Sequence, residues 1–175
     1  ERENAVGARL SPDGKRIAYI LQSGHERSAI YTLEITTGNT TKIDEAVAGG
    51  QVSWSNDGGT LYYSKSDFRS PYRIGSELYA HKSSGGGCAT KLTSDARAKD
   101  PDFCSGIGKK GSLVFSTQRA RFSELQILDL ETDAIRTLYR APEYFHVSVP
   151  RCSPDQKTVV FGMHGTDPFE AVYRV

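Results

Sequence analysis

Four times along this chain the same order of residues returns at nearly constant spacing. The stretches "LSPDGKRIAYI" (10–20), "WSNDGGTLYYS" (54–64), "CSGIGKKGSLVFS" (104–116) and "CSPDQKTVVFG" (152–162) each run from a serine through a turn into a strand-forming segment. Ser11, Ser55, Ser105 and Ser153 are 44, 50 and 48 residues apart; Ile30, Leu78, Leu125 and Val172, which open the second half of each unit, are 48, 47 and 47 apart. Such a chain builds one supersecondary unit repeatedly and buries each unit's apolar face against its neighbour.

The unit is read as all-β. Pro12-Asp13-Gly14 supplies a preset φ, an Asx-type side-chain bond and a residue free to take positive φ, and so closes a hairpin. Asn56-Asp57-Gly58 does the same; Pro154-Asp155-Gln156 keeps the turn without glycine, and residues 106–111 replace it with a longer glycine-bearing loop. The β-rich runs 17–20, 61–64, 113–116 and 159–162 follow, with Tyr19, Tyr63, Phe115 and Phe161 in one shared slot. Two further strands per unit, such as 31–35 with 40–43 and 126–130 with 135–139, bring the count to four short antiparallel strands in about 45 residues, the pattern of a propeller blade. No segment carries a long 3.6 period. The expected architecture is one β-propeller assembly over 1–175, with repeats at 7–47, 48–95, 96–140 and 141–175 and an incomplete last blade.

The stretches "SPDGKRIAYI", "KLTSD", "DPDFCSG", "LVFSTQR" and "SELQILDLET" resemble the TolB-type β-propeller repeat, and all four units carry the likeness. The segment "SKSDFRSPYRIGSELYAH" is also similar to the propeller domains of prolyl-oligopeptidase-type peptidases. The resemblance implies a periplasmic, non-catalytic scaffold that docks other envelope proteins. It also leaves open a substrate-gating propeller of a serine oligopeptidase, or a propeller lyase acting on acidic oligosaccharides. Propellers of this kind have six or more blades, so four units are read as part of a larger ring with open edges able to self-associate.

Composition narrows the partners. Lys+Arg 22 against Asp+Glu 21 gives a net charge of +1, which carries no general attraction to nucleic acid, and no apolar run is long enough to insert into a membrane as a helix. No Gly-x-Ser-x-Gly elbow is present to supply a peptidase nucleophile, so no catalytic residue is expected within these residues. The recurring Asp13, Asp57 and Asp155 are explained by their turns. The histidines, His25, His81, His146 and His164, show no HExxH spacing; His146 and His164 fall in or near loops of the last unit and are read as solvated loop residues ahead of the alternative of a metal or substrate role, and no metal or cofactor is expected. Cys104 and Cys152 occupy the slot held by Leu10 and Trp54 elsewhere and read as apolar core substitutes; with Cys88 on a hairpin tip, the three cysteines do not read as a disulfide framework.

One face stands out. In an up-and-down blade the connection between strands two and three and the connection to the next blade emerge at the same end. That end is expected to gather Arg69, Arg73, Arg97, Lys99, Arg119 and Arg121, interleaved with Tyr72, Phe122 and Tyr144 and with His146 close by. Arginine and aromatic residues are enriched at recognition surfaces. The candidate binding residues are therefore Arg69, Tyr72, Arg73, Arg97, Arg119, Arg121, Tyr144 and His146, and the expected ligand is a protein partner with an acidic surface, or an acidic oligosaccharide.

Overall fold

The structure, a computed structural model, describes residues 3–23, 27–45, 47–70, 73–119, 121–165 and 171–175. Its strands form four antiparallel sheets arranged as a propeller of four blades, the last with three strands. The all-β blade reading is thus correct. Blade 1 holds β1 (Glu3–Leu10), β2 (Arg16–Ser23), β3 (Arg27–Glu34) and β4 (Thr40–Glu45); blade 2 holds β5 (Val47–Trp54), β6 (Thr60–Ser70), β7 (Arg73–Lys82) and β8 (Thr90–Lys91). Blade 3 holds β9 (Ala98–Cys104), β10 (Ser112–Gln118), β11 (Ser123–Asp129) and β12 (Ile135–Arg140); blade 4 holds β13 (His146–Cys152), β14 (Val159–His164) and β15 (Ala171–Arg174). In each blade the strands lie side by side in chain order.

In blades 1, 2 and 4 the repeated serine is the residue that closes the hairpin. Ser11 Oγ donates to Asp13 Oδ1 (2.6 Å) and accepts from the amide of Arg16 (2.9 Å), which pins both arms of the turn. Ser55 repeats this with Asp57 and Thr60, and Ser153 with Asp155 and Thr158. The serine hydroxyl, followed by a backbone amide, holds the carboxyls of Asp13, Asp57 and Asp155 below their ordinary range. Gly14 and Gly58 take φ of 71° and 68°, and Gln156 occupies the same left-handed slot at 60°.

Alternation along the middle strands decides which residues meet between blades. Ala18, Ile20 and Ile30 of blade 1 pack against Val52, Trp54, Leu61 and Tyr63 of blade 2. Tyr62 and Leu78 face Leu113 and Phe115 of blade 3, and Val114, Leu125 and Ile127 face Val159, Phe161 and Met163 of blade 4. In blades 2, 3 and 4 the shared aromatic slot is therefore a core position, with Tyr63, Phe115 and Phe161 buried, while Tyr19 of blade 1 is half-buried. Inner strands touch in sequence, β1 on β5, β5 on β9 and β9 on β13, while β13 and β1 make no comparable contact among the described residues.

Polar side chains tie each inner strand to the next. Ser53 Oγ accepts from the amide of Phe103 (2.9 Å), and Asp102 Oδ2 accepts from the amide of Cys152 (2.9 Å). Trp54 Nε1 donates to the carbonyl of Arg9 (3.0 Å), and the Arg16 guanidinium lies over the same indole while donating to Gly58 O and Ser83 Oγ. The buried Gln51 Nε2 donates to the carbonyls of Pro101 (3.0 Å) and Pro150 (3.2 Å), spanning three blades.

Two features depart from the sequence reading. Every inner strand carries a bulge, marked by positive φ at Gly7 (63°), Gly49 (82°), Asp100 (53°) and Val149 (45°). And Cys104 and Cys152 are joined in a disulfide between blades 3 and 4. They are not merely apolar substitutes. Equivalent slots on adjacent inner strands face one another, so two cysteines one repeat apart meet; Cys88 is free and exposed.

Candidate functional site

The connections that gather at one end of the blades close around a pocket of ≈ 390 Å³ between blades 2, 3 and 4. Its basic wall is made by Arg97, Lys99 and Arg119, joined by His146 and Gln118; Ser66, Ser76 and the backbone at Gly49 and Gly75 complete it. Among the described residues no carboxylate lies within ion-pair distance of Arg97, Lys99 or Arg119. The pocket therefore presents three cations together with neutral hydrogen-bonding groups.

The repeated Ser-Glu-Leu segment, at 76–78 and 123–125, positions these groups. Glu77 is buried and accepts from Thr93 Oγ1 (2.6 Å) and from the amide of Ala96 (3.3 Å), while Thr93 Oγ1 accepts from the amide of Leu78 (2.9 Å). These bonds fasten the connection that ends in Arg97, whose φ of 51° turns the chain into β9. Ser123, also buried, donates to the carbonyl of Thr117 (2.5 Å) and accepts from the amide of Val147 (3.1 Å). One hydroxyl thus sets the end of β10, with Gln118 and Arg119, against the start of β13 with His146. Gln118 Nε2 lies 3.2 Å from His146 Nδ1.

Beside Gly49 of the pocket lining, Asp100 accepts from the amide of Gly50 (3.0 Å). Burial pushes its carboxyl above the ordinary range, with the Gly50 bond opposing and Lys99 adding a smaller opposing effect.

Of the residues expected at this end, Arg97, Lys99, Arg119 and His146 come together in the pocket. Arg121 and Tyr144 are exposed neighbours, joined by a bond from the Tyr144 amide to the Arg121 carbonyl (3.0 Å), and stand outside its lining. Arg69 and Arg73 are placed on the β6–β7 hairpin by their backbone; their side chains, and Tyr72 altogether, lie outside the described residues. Ser66, Ser76 and Gln118 escaped the sequence reading. The serine of the Ser-Glu-Leu repeat and the residue directly before Arg119 were the available signals.

No family profile matches the sequence, and no curated protein sequence does. Solved structures do. The TolB-type protein of Agrobacterium tumefaciens superposes with a TM-score of 0.70 at 20% identity, over 99% of this chain and 58% of its own. The β-propeller domain of the trilobed protease from Pyrococcus furiosus, described as having an open velcro topology, gives 0.66 at 12% identity, over 99% and 55%. A prolyl endopeptidase gives 0.65 at 14% identity, over 99% and 27%. The chain thus spans less than two thirds of each of these proteins. At such identities the likeness is one of fold, and that fold is the TolB-like β-propeller, shared with the propeller domains of prolyl oligopeptidases.

Proposed function

We propose that this chain is a non-catalytic binding scaffold in the cell envelope, and that the pocket between blades 2, 3 and 4 docks an acidic segment of a protein partner. The observation that carries this reading is the cluster of Arg97, Lys99 and Arg119 around one concavity, with no carboxylate paired to them among the described residues. Guanidinium groups held together in this way gain from a ligand carboxylate, which each can bind through two parallel hydrogen bonds. The Cys104–Cys152 disulfide favours an oxidising compartment, which supports a location outside the cytoplasm.

A fluorescence-anisotropy titration with a labelled Asp/Glu-rich peptide, with oligogalacturonate as competitor, tests the reading. The peptide should bind at low salt, weaken as ionic strength rises through about 0.1 M, and lose binding in the Arg97→Glu/Arg119→Glu variant. Folding of that variant should change little, since exposed charges contribute about 0–1 kcal/mol each. Binding of the sugar acid but not the peptide would replace the scaffold with a lyase-like ligand, and binding of neither would end the proposal.

A further inference from the structure

We infer that His146 and His164 form a binding site for a divalent transition-metal ion of the zinc, nickel or copper kind, at the edge of the basic pocket that His146 lines. Eighteen positions apart in sequence, the two histidines are direct cross-strand partners at the ends of β13 and β14. Their ring centroids lie 5.2 Å apart with the planes inclined at 40°. A metal bound by imidazole nitrogen sits about 2.0–2.1 Å from it, hence about 3.2 Å from the ring centroid; two rings at a tetrahedral angle then have centroids about 5.2 Å apart. The observed centroid distance equals this value, so the pair meets the distance requirement for sharing one ion.

Gln118 supplies the orienting contact. Its amide lies 3.2 Å from His146 Nδ1. With the amide turned so that Oε1 accepts from Nδ1–H, a rotation that leaves the heavy-atom geometry unchanged, the lone pair of His146 is on Nε2 and free for a metal. Both histidines are partly accessible, so an ion can reach them. Among the described residues no group of three or more His, Cys, Asp or Glu forms a closed cage. The ion would therefore keep open positions for water or an anion, and an anionic co-ligand offsets the repulsion between the ion and Arg97, Lys99 and Arg119, which line the pocket with His146.

The test is a calorimetric titration of the 175-residue chain with zinc chloride and, separately, nickel chloride. A Cys88→Ser background removes the exposed thiol as a competing ligand, and imidazole 15N spectra identify the coordinated nitrogens. One ion should bind saturably and shift the resonances of His146 and His164. His146→Ala and His164→Gln should each weaken binding about ten-fold or more, and Gln118→Glu should tighten it, because a carboxylate oriented on Nδ1–H makes the other nitrogen a better donor. Absence of saturable binding, affinity unchanged in either histidine variant while thermal melts show both folded, or weaker binding in Gln118→Glu would overturn the inference.

Discussion

Breaking the bond between Cys104 and Cys152 should lower stability by about 4 kcal/mol at most. The two residues close a loop with a sequence separation of 48, and the chain-entropy argument for a loop of that length removes about 13.6 cal/mol/K from the unfolded ensemble, or about 4 kcal/mol at 298 K. For a chain of this size each kcal/mol moves the melting temperature by about 2–4 °C, so reduction should lower it by at most about 8–16 °C. The assay is a thermal melt followed by circular dichroism with and without a phosphine reductant, in a Cys88→Ser background so that the free thiol cannot exchange. A Cys104→Ala/Cys152→Ala variant, insensitive to reductant, separates the cross-link from the packing of the buried Cys104 side chain. Alkylation of the unfolded, unreduced wild-type chain should label Cys88 alone. Melts that coincide within about 2 °C, or labelling of all three cysteines, would refute the reasoning.

Two further outcomes follow from backbone and burial. At Gly14 nothing lies within 4 Å of an added Cβ, so Gly14→Val should cost only the conformational strain of φ 71°, about 1–3 kcal/mol in a denaturant titration, whereas at Gly7 an added Cβ would stand 2.1 Å from the carbonyl oxygen of Gly50, so Gly7→Ala should cost more than Gly14→Ala. Because burial raises the folded-state pKa of Asp100 above its unfolded value, its contribution to stability is fully present at acid pH and lost as pH rises through the folded-state value. Asp100→Asn should therefore melt with the parent near about pH 3.5 and above it near about pH 7; a less stable variant at neutral pH would show that the carboxylate form is the one the fold prefers.

The blades were legible because three of their turns, in blades 1, 2 and 4, are built from local chemistry: a serine, an aspartate and a residue in left-handed conformation act within a few positions of one another. Even the substitution of Gln156 for glycine left the serine and aspartate in place to mark the turn. The bulges in the inner strands were not legible, since Asp100 and Val149 carry no turn signature and take positive φ only as part of a paired strand. The disulfide was hidden by the habit of reading cysteine spacing along the chain, when the relevant distance is one repeat across it. For the pocket, the alternation of connections was enough to bring Arg97, Arg119 and His146 to one end, but which loops lean inward depends on Glu77 and Ser123, whose bonds reach into the next blade. The pairing of His146 with His164 depends on register beyond a bulge, which the separation of the two residues does not reveal.

The bonds from Ser53 to the Phe103 amide and from Asp102 to the Cys152 amide have a consequence for how such a molecule can be rearranged. Each joins a side-chain acceptor of one blade to a backbone amide of its successor, so these two links have a direction. A blade moved to another place in the array brings its own amide but leaves behind the acceptor that satisfied it, and the half-buried N–H then lacks its partner at a cost of about 1 kcal/mol. Repeats in this chain are therefore not interchangeable parts, despite their common pattern. Shuffling or duplicating them succeeds only when cut points keep each acceptor with the blade that follows it, so the natural unit of exchange is the joint between two blades rather than the blade.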